Sequence, residues 1–380
     1  MFRGSPHTFH VRLPLAALLA LACSSDPLVL HKVRRVIISP PAAHITQSDT
    51  LRLSAQLVDG YGTPVAGASY RWSSADPTVA TVDDAGLVQA QAQPGRTVIV
   101  VDAGQARGQV LAAVHPYLLI AAGDIATCGS NGAEATAQQI DTTPGIVLAV
   151  GDNAYPNGSD AEYADCYHPT WGRFKARTRP VPGNHDYQTP GAAGYYRYFG
   201  ALAGDSGLGY YSYDWGGWHV VALNSEINVA AGSTQEGWLR ADLAAHPAVC
   251  TLAYWHVPRF SSPGFGRPSD DPSVAPLWRA LSDFGADVVI VGHAHDYERF
   301  APQTADGTLD AVSGLRQFVV GTGGTSPDSF VTGLVAANSE VRNGDTFGVL
   351  VLTLHATSYE WRFVPQAGRR FTDVGVESCH

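Results

Sequence analysis

The chain has 380 residues, 45% hydrophobic and 15% charged, which is enough apolar length to bury a sizeable core and too apolar for a disordered segment. With 40 glycines and 24 prolines it favours many turns between short strands, which excludes a helical bundle, and its length predicts two domains. The formal charge of −10, with no Lys/Arg run, removes the electrostatic footprint of a nucleic-acid binder, so an anionic ligand must be held by something local, such as metal ions.

In chain order, residues 1–23 come first. Arg3 and Arg12 precede an apolar run of ten, Leu13 to Ala22, that stops at Cys23. This is the arrangement of a signal peptide, and the run is too short to span a bilayer. Leu19-Ala-Leu-Ala-Cys23 resembles a bacterial lipobox, with Ala20 where Leu is usual. The expectation is an exported protein: a cell-envelope lipoprotein whose only membrane contact is a lipid anchor at Cys23, or a periplasmic or extracellular protein if the leader is simply cleaved. The remaining cysteines, Cys128, Cys166, Cys250 and Cys379, form an even set without zinc-site spacing, which permits two disulfides in three pairings.

Residues 33–115 read as seven short alternating strands, VRRVIIS, TLRLSAQLV, SYRWSS, VATV, GLVQAQ, RTVIVV and RGQVLAAV, the spacing of a β-sandwich. The stretch from Leu57 to Ala90 resembles the bacterial Ig-like domains of surface proteins. With no ionisable cluster in this part, Trp72 is expected in the core and the domain is expected to act as a spacer.

Residues 116–380 change pattern to continuous apolar runs ending in polar residues: YLLIAAGD, GIVLAVGD, HVVALNS, CTLAYWH, DVVIVGH and QFVVGTGG. Such runs are strands buried on both faces. Helices are expected around Ala133–Ile140, Gln235–Ala245 and Val274–Phe284, and GVLVLTLH with SYEWRFV is expected to form a hairpin at a sheet edge. The aromatic run from Tyr195 to Trp218 is expected to pack strands, and GTGGTS to be a turn.

In an open α/β sheet the functional crevice lies outside the carboxyl ends of the strands. Asp124, Asp152, His256, His293 and His295 all stand at such ends, and the PGNHDY loop adds Asn184 and His185. Cys128 and Cys166 each follow one of these strand-end motifs, so they are expected to pair on that edge, leaving Cys250 for Cys379.

The ordered set GD, GD, GNHD, strand-end His and GHxH resembles the calcineurin-like metallophosphoesterases, and within them the purple acid phosphatases. Two features single out the latter: Ala126 stands where the first motif usually has His, and Tyr155 in GDNAY stands where that family uses a tyrosinate. GHAHDYER is also close to its GHxHxYER, and plant members likewise place a β-sandwich before the catalytic domain. The resemblance implies an α/β metallophosphoesterase fold, two packed mixed β-sheets flanked by helices, behind the all-β Ig-like sandwich.

It also implies a phosphatase that hydrolyses phosphomonoesters at a dinuclear metal centre. The first metal would take Asp124, Asp152, Tyr155 and His295, and the second Asp152, Asn184, His256 and His293, with Asp152 bridging. Two carboxylates and a phenolate offset an Fe(III) at the first site plus Zn(II), Fe(II) or Mn(II) at the second, leaving positive charge for a phosphate dianion. Two such metals can present a hydroxide for direct attack in line with the leaving group. His185 is the expected general acid, with Asp186 fixing its ring.

The chain departs from the family in reading GDIA for GDxG and GNHD for GNHE, and it has no His between His256 and His293. Arg259 is the nearest substitute for a substrate-binding histidine, since a guanidinium grips two phosphate oxygens, with a surface ion pair as its plain alternative; His168 stands beside it as a second candidate. The competing functions are a phosphodiesterase or nucleotidase on the same metals and, from another class, a surface adhesion protein with a degenerate catalytic domain. Tyr297 breaks the HxHxDH pattern that a metallo-β-lactamase-like hydrolase needs.

Overall fold

The structure is a computed structural model that describes residues 32–264 and 271–380; the leader and Cys23 lie outside the described residues. Alternation of apolar and polar residues makes the first segment a sandwich. Strands Ala43–Thr46, Arg107–His115, Gly95–Asp102 and Arg71–Ser74 form one sheet in that order, and Thr50–Arg52, Leu87–Ala90 and Ala80–Val82 another. Their inward residues, among them Ile45, Trp72, Val88, Ile99 and Val110, form one buried cluster.

The run read as a single strand over residues 50–58 breaks at buried Leu53, whose N–H donates to the Gly86 carbonyl at 2.8 Å. Its halves pair with different partners, Thr50–Arg52 with Leu87–Ala90 and Ser54–Val58 with Arg35–Ser39. Pro116 alone separates the last sandwich strand from Tyr117–Ala122. Across that join the Tyr117 hydroxyl donates to the Gln47 carbonyl at 2.6 Å, and its ring meets Trp215 edge-on with centroids 5.2 Å apart.

The six apolar runs that end in polar residues are all strands, divided between two sheets. Tyr117–Ala122 and Ile146–Val150 run parallel to Thr178–Val181 in a six-stranded mixed sheet completed by Gly348–Leu354, Ser358–Pro365 and Val374–Ser378. Trp218–Ala222, Thr251–Tyr254, Val288–Val291 and Arg316–Val320 run parallel in a seven-stranded mixed sheet. Period-two alternation then sorts the side chains. Val220, Leu252, Ile290 and Phe318 join the cluster shared with Leu119, Val147 and Leu350 of the other sheet, whereas Val221, Ala253, Val289 and Val319 cluster with Leu239, Leu243, Leu277 and Leu281. Each Val, Leu, Ile or Phe among these, fully buried, is worth about 1.5–3 kcal/mol against exposure.

The expected helices are present as Gly132–Asp141, Thr234–Ala245 and Ala275–Asp283. Ser233 starts the second by accepting the Glu236 N–H at 3.2 Å. The expected hairpin forms, but not at a sheet edge: Gly348–Leu354 sits inside the sheet beside Tyr117–Ala122, and Val374–Ser378 takes the edge beyond Ser358–Pro365. The alternating, half-exposed VGVES of that edge strand lacks the continuous apolar run by which the buried strands were recognised. The aromatic run also divides, because Tyr195, Tyr196 and Tyr198 lie on helix Ala193–Phe199 while Tyr211, Tyr213 and Trp215 lie on a strand.

Both expected disulfides form, Cys128–Cys166 with Cα atoms 4.9 Å apart and Cys250–Cys379 with Cα atoms 5.5 Å apart. The second closes a span of 129 residues and fastens the chain's end to the start of strand Thr251–Tyr254. Replacing Cys250 and Cys379 by Ser is expected to cost about 3–5 kcal/mol and to lower Tm while leaving metal content unchanged. Thermal unfolding of the double variant, with peptide mapping of the oxidised protein, checks this; an unchanged Tm or free thiols would contradict it.

Candidate metal centre

The parallel strands of both sheets deliver their ends to one place. Asp124 and Asp152 stand two residues past Tyr117–Ala122 and Ile146–Val150, His256 two past Thr251–Tyr254, and His293 two past Val288–Val291. Backbone bonds tie these ends together: Gly123 N–H to Val320 O between the two sheets and Gly292 N–H to His256 O within one of them, both at 2.9 Å, and Asp124 N–H to Gly151 O within the other at 3.1 Å.

To turn their side chains inward, Asp124, Asp152 and His293 adopt left-handed backbone, with φ of 60°, 49° and 69°. Such strain in non-glycine residues is concentrated at functional sites. The motif glycines answer a different need, close approach. A Cβ at Gly183 would lie 2.3 Å from Asp152 Oδ1, and one at Gly292 would lie 2.8 Å from Asp124 Oδ2.

The structure brings all seven expected ligands together. The Tyr155 hydroxyl lies 2.7 Å from Asp124 Oδ1, 2.9 Å from Asp152 Oδ2 and 3.1 Å from His295 Nε2. His256 Nε2 lies 3.3 Å from Asp152 Oδ2 and 3.2 Å from Asn184 Oδ1, which is itself 2.9 Å from His293 Nδ1. Donor atoms of Asp124, Asp152 and His256 all lie within 4.8 Å of one another, and the three residues are fully buried. Asp152 thus touches both groups, Tyr155 on one side and His256 on the other.

Two outer contacts set which nitrogen each ring presents. His256 Nδ1 is 2.9 Å from the Val150 carbonyl and His295 Nδ1 is 3.0 Å from the Ser326 carbonyl. Each ring therefore offers Nε2 to the cluster, the arrangement by which backbone carbonyls orient metal-binding histidines. The electrostatics ask for a cation. Burial alone would lower the pKa of His256, yet the carboxylates of Asp152 and Asp124, with Glu226, raise it to about 10. Burial and the same two carboxylates push the Tyr155 phenol well above its ordinary value, so a phenolate here needs a strong cation beside it. Buried oxygen and nitrogen donors in a negative field fit a metal pair.

The pairing of the first two motifs explains Ala126. Ala126–Thr127 and Ala154–Tyr155 form a short parallel ladder with Thr127 opposite Tyr155, so the residue that lacks an imidazole runs beside the one that supplies a phenol. Gly158 and Gly194, by contrast, serve the neighbouring loop and not the ligands.

Other expectations need correction. Asp186 does not fix the His185 ring; His185 Nδ1 is 2.6 Å from the Pro156 carbonyl. Asp186 is buried and holds the GNHD loop instead, accepting from Gly183 N–H at 3.0 Å, Asn153 Nδ2 at 3.1 Å and the Tyr163 hydroxyl at 2.6 Å. Burial and then the Asp152 charge raise its pKa to about 6. Among the described residues Arg259 makes no ion pair and touches none of the expected ligands: its Nε donates to the Ala305 carbonyl at 3.1 Å and its guanidinium packs on Phe260, lining a cleft of about 450 Å³ with Gln303, Asp306 and Leu334. His168 bonds the Tyr198 hydroxyl at 3.0 Å.

Sequence reasoning missed the GTGGTS segment as a support of the site. A Cβ on Gly321 would lie 1.8 Å from the Ala294 carbonyl and 2.9 Å from Asp124 Oδ2, Thr325 N–H donates to Asp124 O at 2.9 Å, and Ser326 orients His295. The available signal was its place at the end of an apolar strand, the same place every ligand motif occupies.

Comparison with known proteins agrees with this geometry. The calcineurin-like phosphoesterase family model matches residues 102–297, and the bacterial Ig-like domain (group 2) model matches residues 32–112. Purple acid phosphatase 23 of Arabidopsis thaliana is 28% identical over 221 residues, 49% of this chain and 48% of that protein. Purple acid phosphatase 15 of the same plant is 28% identical over 219 residues, 49% of this chain and 41% of that protein. The chain thus spans about half or less of the length of these curated relatives. The solved purple acid phosphatase PPD1 from yellow lupin (Lupinus luteus) seeds shares the fold, with a TM-score of 0.56 at 16% identity over 90% of this chain and 74% of that one. With more than half its length matched to that model, and its strand-end donors gathered at one edge, the chain belongs to the calcineurin-like phosphoesterases, as a purple acid phosphatase-like metallophosphoesterase behind an Ig-like domain.

Proposed function

We propose that the protein is an exported phosphatase that hydrolyses small phosphomonoesters at a dinuclear centre, with Fe(III) at the first site and Zn(II), Fe(II) or Mn(II) at the second. One observation carries this reading: the Tyr155 hydroxyl lies within 3.1 Å of Asp124, Asp152 and His295. A hard anionic phenolate with two carboxylates favours a trivalent ion over a divalent one. In this assignment Asp124, Tyr155 and His295 hold the first ion, Asn184, His256 and His293 the second, and Asp152 is shared. When bound, the pair supplies Lewis-acid activation of phosphoryl oxygens and of the attacking water.

The rest of the chemistry falls to side chains. His185 packs against Tyr155 with ring centroids 4.4 Å apart and planes tilted by 44°, and its Nδ1 is anchored on the Pro156 carbonyl, so Nε2 is the nitrogen left to act, 3.9 Å from Asp152 Oδ2. The ring is about one-third exposed, open to the side from which an ester's leaving oxygen would take its proton. Its backbone N–H donates to Asp152 Oδ1 at 2.7 Å, tying the acid's position to the shared carboxylate. Asp186 is a positioning residue for this loop. Arg259 and His168, with partners of their own, are not assigned to the substrate.

Export is supported by the two disulfides, which persist in oxidising compartments, and by the Ig-like domain. No helix among the described residues is long and apolar enough to cross a membrane. The monoester preference is drawn from the relatives' name, purple acid phosphatase. A panel of mono- and diesters separates it from the diesterase alternative, since the ligands do not contact the leaving group.

Two outcomes are expected. The oxidised protein shows a visible phenolate-to-Fe(III) band that Tyr155→Phe abolishes; a colourless wild type, fully active with zinc or manganese alone, would defeat the Fe(III) assignment. His185→Ala keeps its metals but loses about 100-fold or more in kcat on alkyl phosphates, and less on p-nitrophenyl phosphate, whose leaving group needs little protonation. Equal losses on both esters would remove His185 from the acid role.

A further inference from the structure

We propose a second metal site, separate from the centre above, in which His219, Asp242 and His246 bind a zinc-type divalent cation. His219 lies on strand Trp218–Ala222, Asp242 in the last turn of helix Thr234–Ala245, and His246 caps that helix. Donor atoms of the three residues all lie within 4.8 Å of one another. His219 Nε2 is 2.9 Å from Asp242 Oδ2, and His246 Nδ1 is 3.2 Å from Asp242 Oδ1 and 2.9 Å from the Asp242 backbone carbonyl, a hydrogen bond that a bound ion would replace. The two imidazoles stack with centroids 5.0 Å apart and planes 13° from parallel. Both rings therefore aim a nitrogen at one carboxylate, and two imidazoles with a carboxylate are a zinc donor set.

The surroundings are built for the same purpose. His219 Nδ1 is 3.0 Å from Asp214 Oδ1, the carboxylate partner that a metal-binding histidine commonly has on its other nitrogen. Ser212 Oγ donates to Asp242 Oδ1 at 2.9 Å. The side chains of His219 and Asp242 are largely covered, at 2% and 7% exposure, while that of His246 is 50% exposed, so the site has a fixed floor and an open side where water can complete four-coordination. The negative end of helix Thr234–Ala245 adds its field.

The site lies at the opposite end of the strands from the metal centre. His219 pairs with Thr251, five residues before His256, which at strand rise is about 16 Å. A bound ion there would clamp the helix to the strand pair Tyr211–Trp215 and Trp218–Ala222 and stabilise the fold by mass action.

The test uses the full chain, stripped by chelation and titrated with zinc chloride by calorimetry, with metal content measured after dialysis. Wild type is expected to hold one equivalent more than His246→Ala, and His246→Ala to retain phosphoester hydrolysis; His246→Gln, which keeps bulk at a half-exposed position, serves as the second variant. Asp152→Ala separates the two sites, because it is expected to lose catalysis yet still bind this equivalent and gain Tm with zinc. Equal zinc content in wild type and both His246 variants would overturn the inference, as would loss of hydrolysis in His246→Gln.

Discussion

Everything at the metal centre turns on the Asp152 carboxylate. One oxygen accepts the His185 backbone N–H at 2.7 Å, and the other faces the Tyr155 hydroxyl at 2.9 Å and His256 Nε2 at 3.3 Å. A carboxylate that is 1% exposed is costly unless its charge is met. It lies two residues past strand Ile146–Val150 of one sheet and against His256, two past Thr251–Tyr254 of the other, so one buried charge is faced by strand ends from both packed sheets. The left-handed backbone at Asp124, Asp152 and His293 is strain that the cross-sheet hydrogen bonds hold in place.

That constraint explains why the site tolerates the loss of the first-motif histidine. Thr127 and Tyr155 sit opposite each other in the short ladder that joins the first two motifs. The phenol reaches across to Asp124 and back to Asp152, three residues before it in the same segment, and burial with these two negative neighbours pushes its pKa well above the ordinary value. The surrounding glycines keep the approach close: a Cβ at Gly183, Gly292 or Gly321 would fall within 3 Å of a carboxylate oxygen of Asp152 or Asp124.

The parts of this that were legible in the sequence are those with a strong local pattern. Runs such as YLLIAAGD and DVVIVGH are apolar on both faces and end in a residue of metal-ligand type, so strand, burial and donor are read together. The edge strand Val374–Ser378 and the strand Ser339–Asn343 carry mixed, half-exposed side chains and offered no such run. Ala43–Thr46 was missed for its shortness, and the break at Leu53 because strand switching depends on the partner at Gly86. Asp186 was misplaced because adjacency in GNHD suggested contact with His185, whereas the loop's curvature turns one side chain toward Pro156 and the other toward Gly183 and Tyr163. The His219, Asp242 and His246 cluster joins a strand to the helix that follows it; Asp242 and His246 are an i,i+4 pair, but their meeting with His219 depends on how that helix folds back on the strand.

The central claim is that Asp152 is shared by two metals. Metal analysis of purified Asp152→Ala, beside wild type prepared identically and with circular dichroism to verify the fold, tests it most directly. The account predicts that both ions of the centre fall together to a small fraction of wild-type content. Retention of both at full occupancy, or loss of one alone, would contradict it.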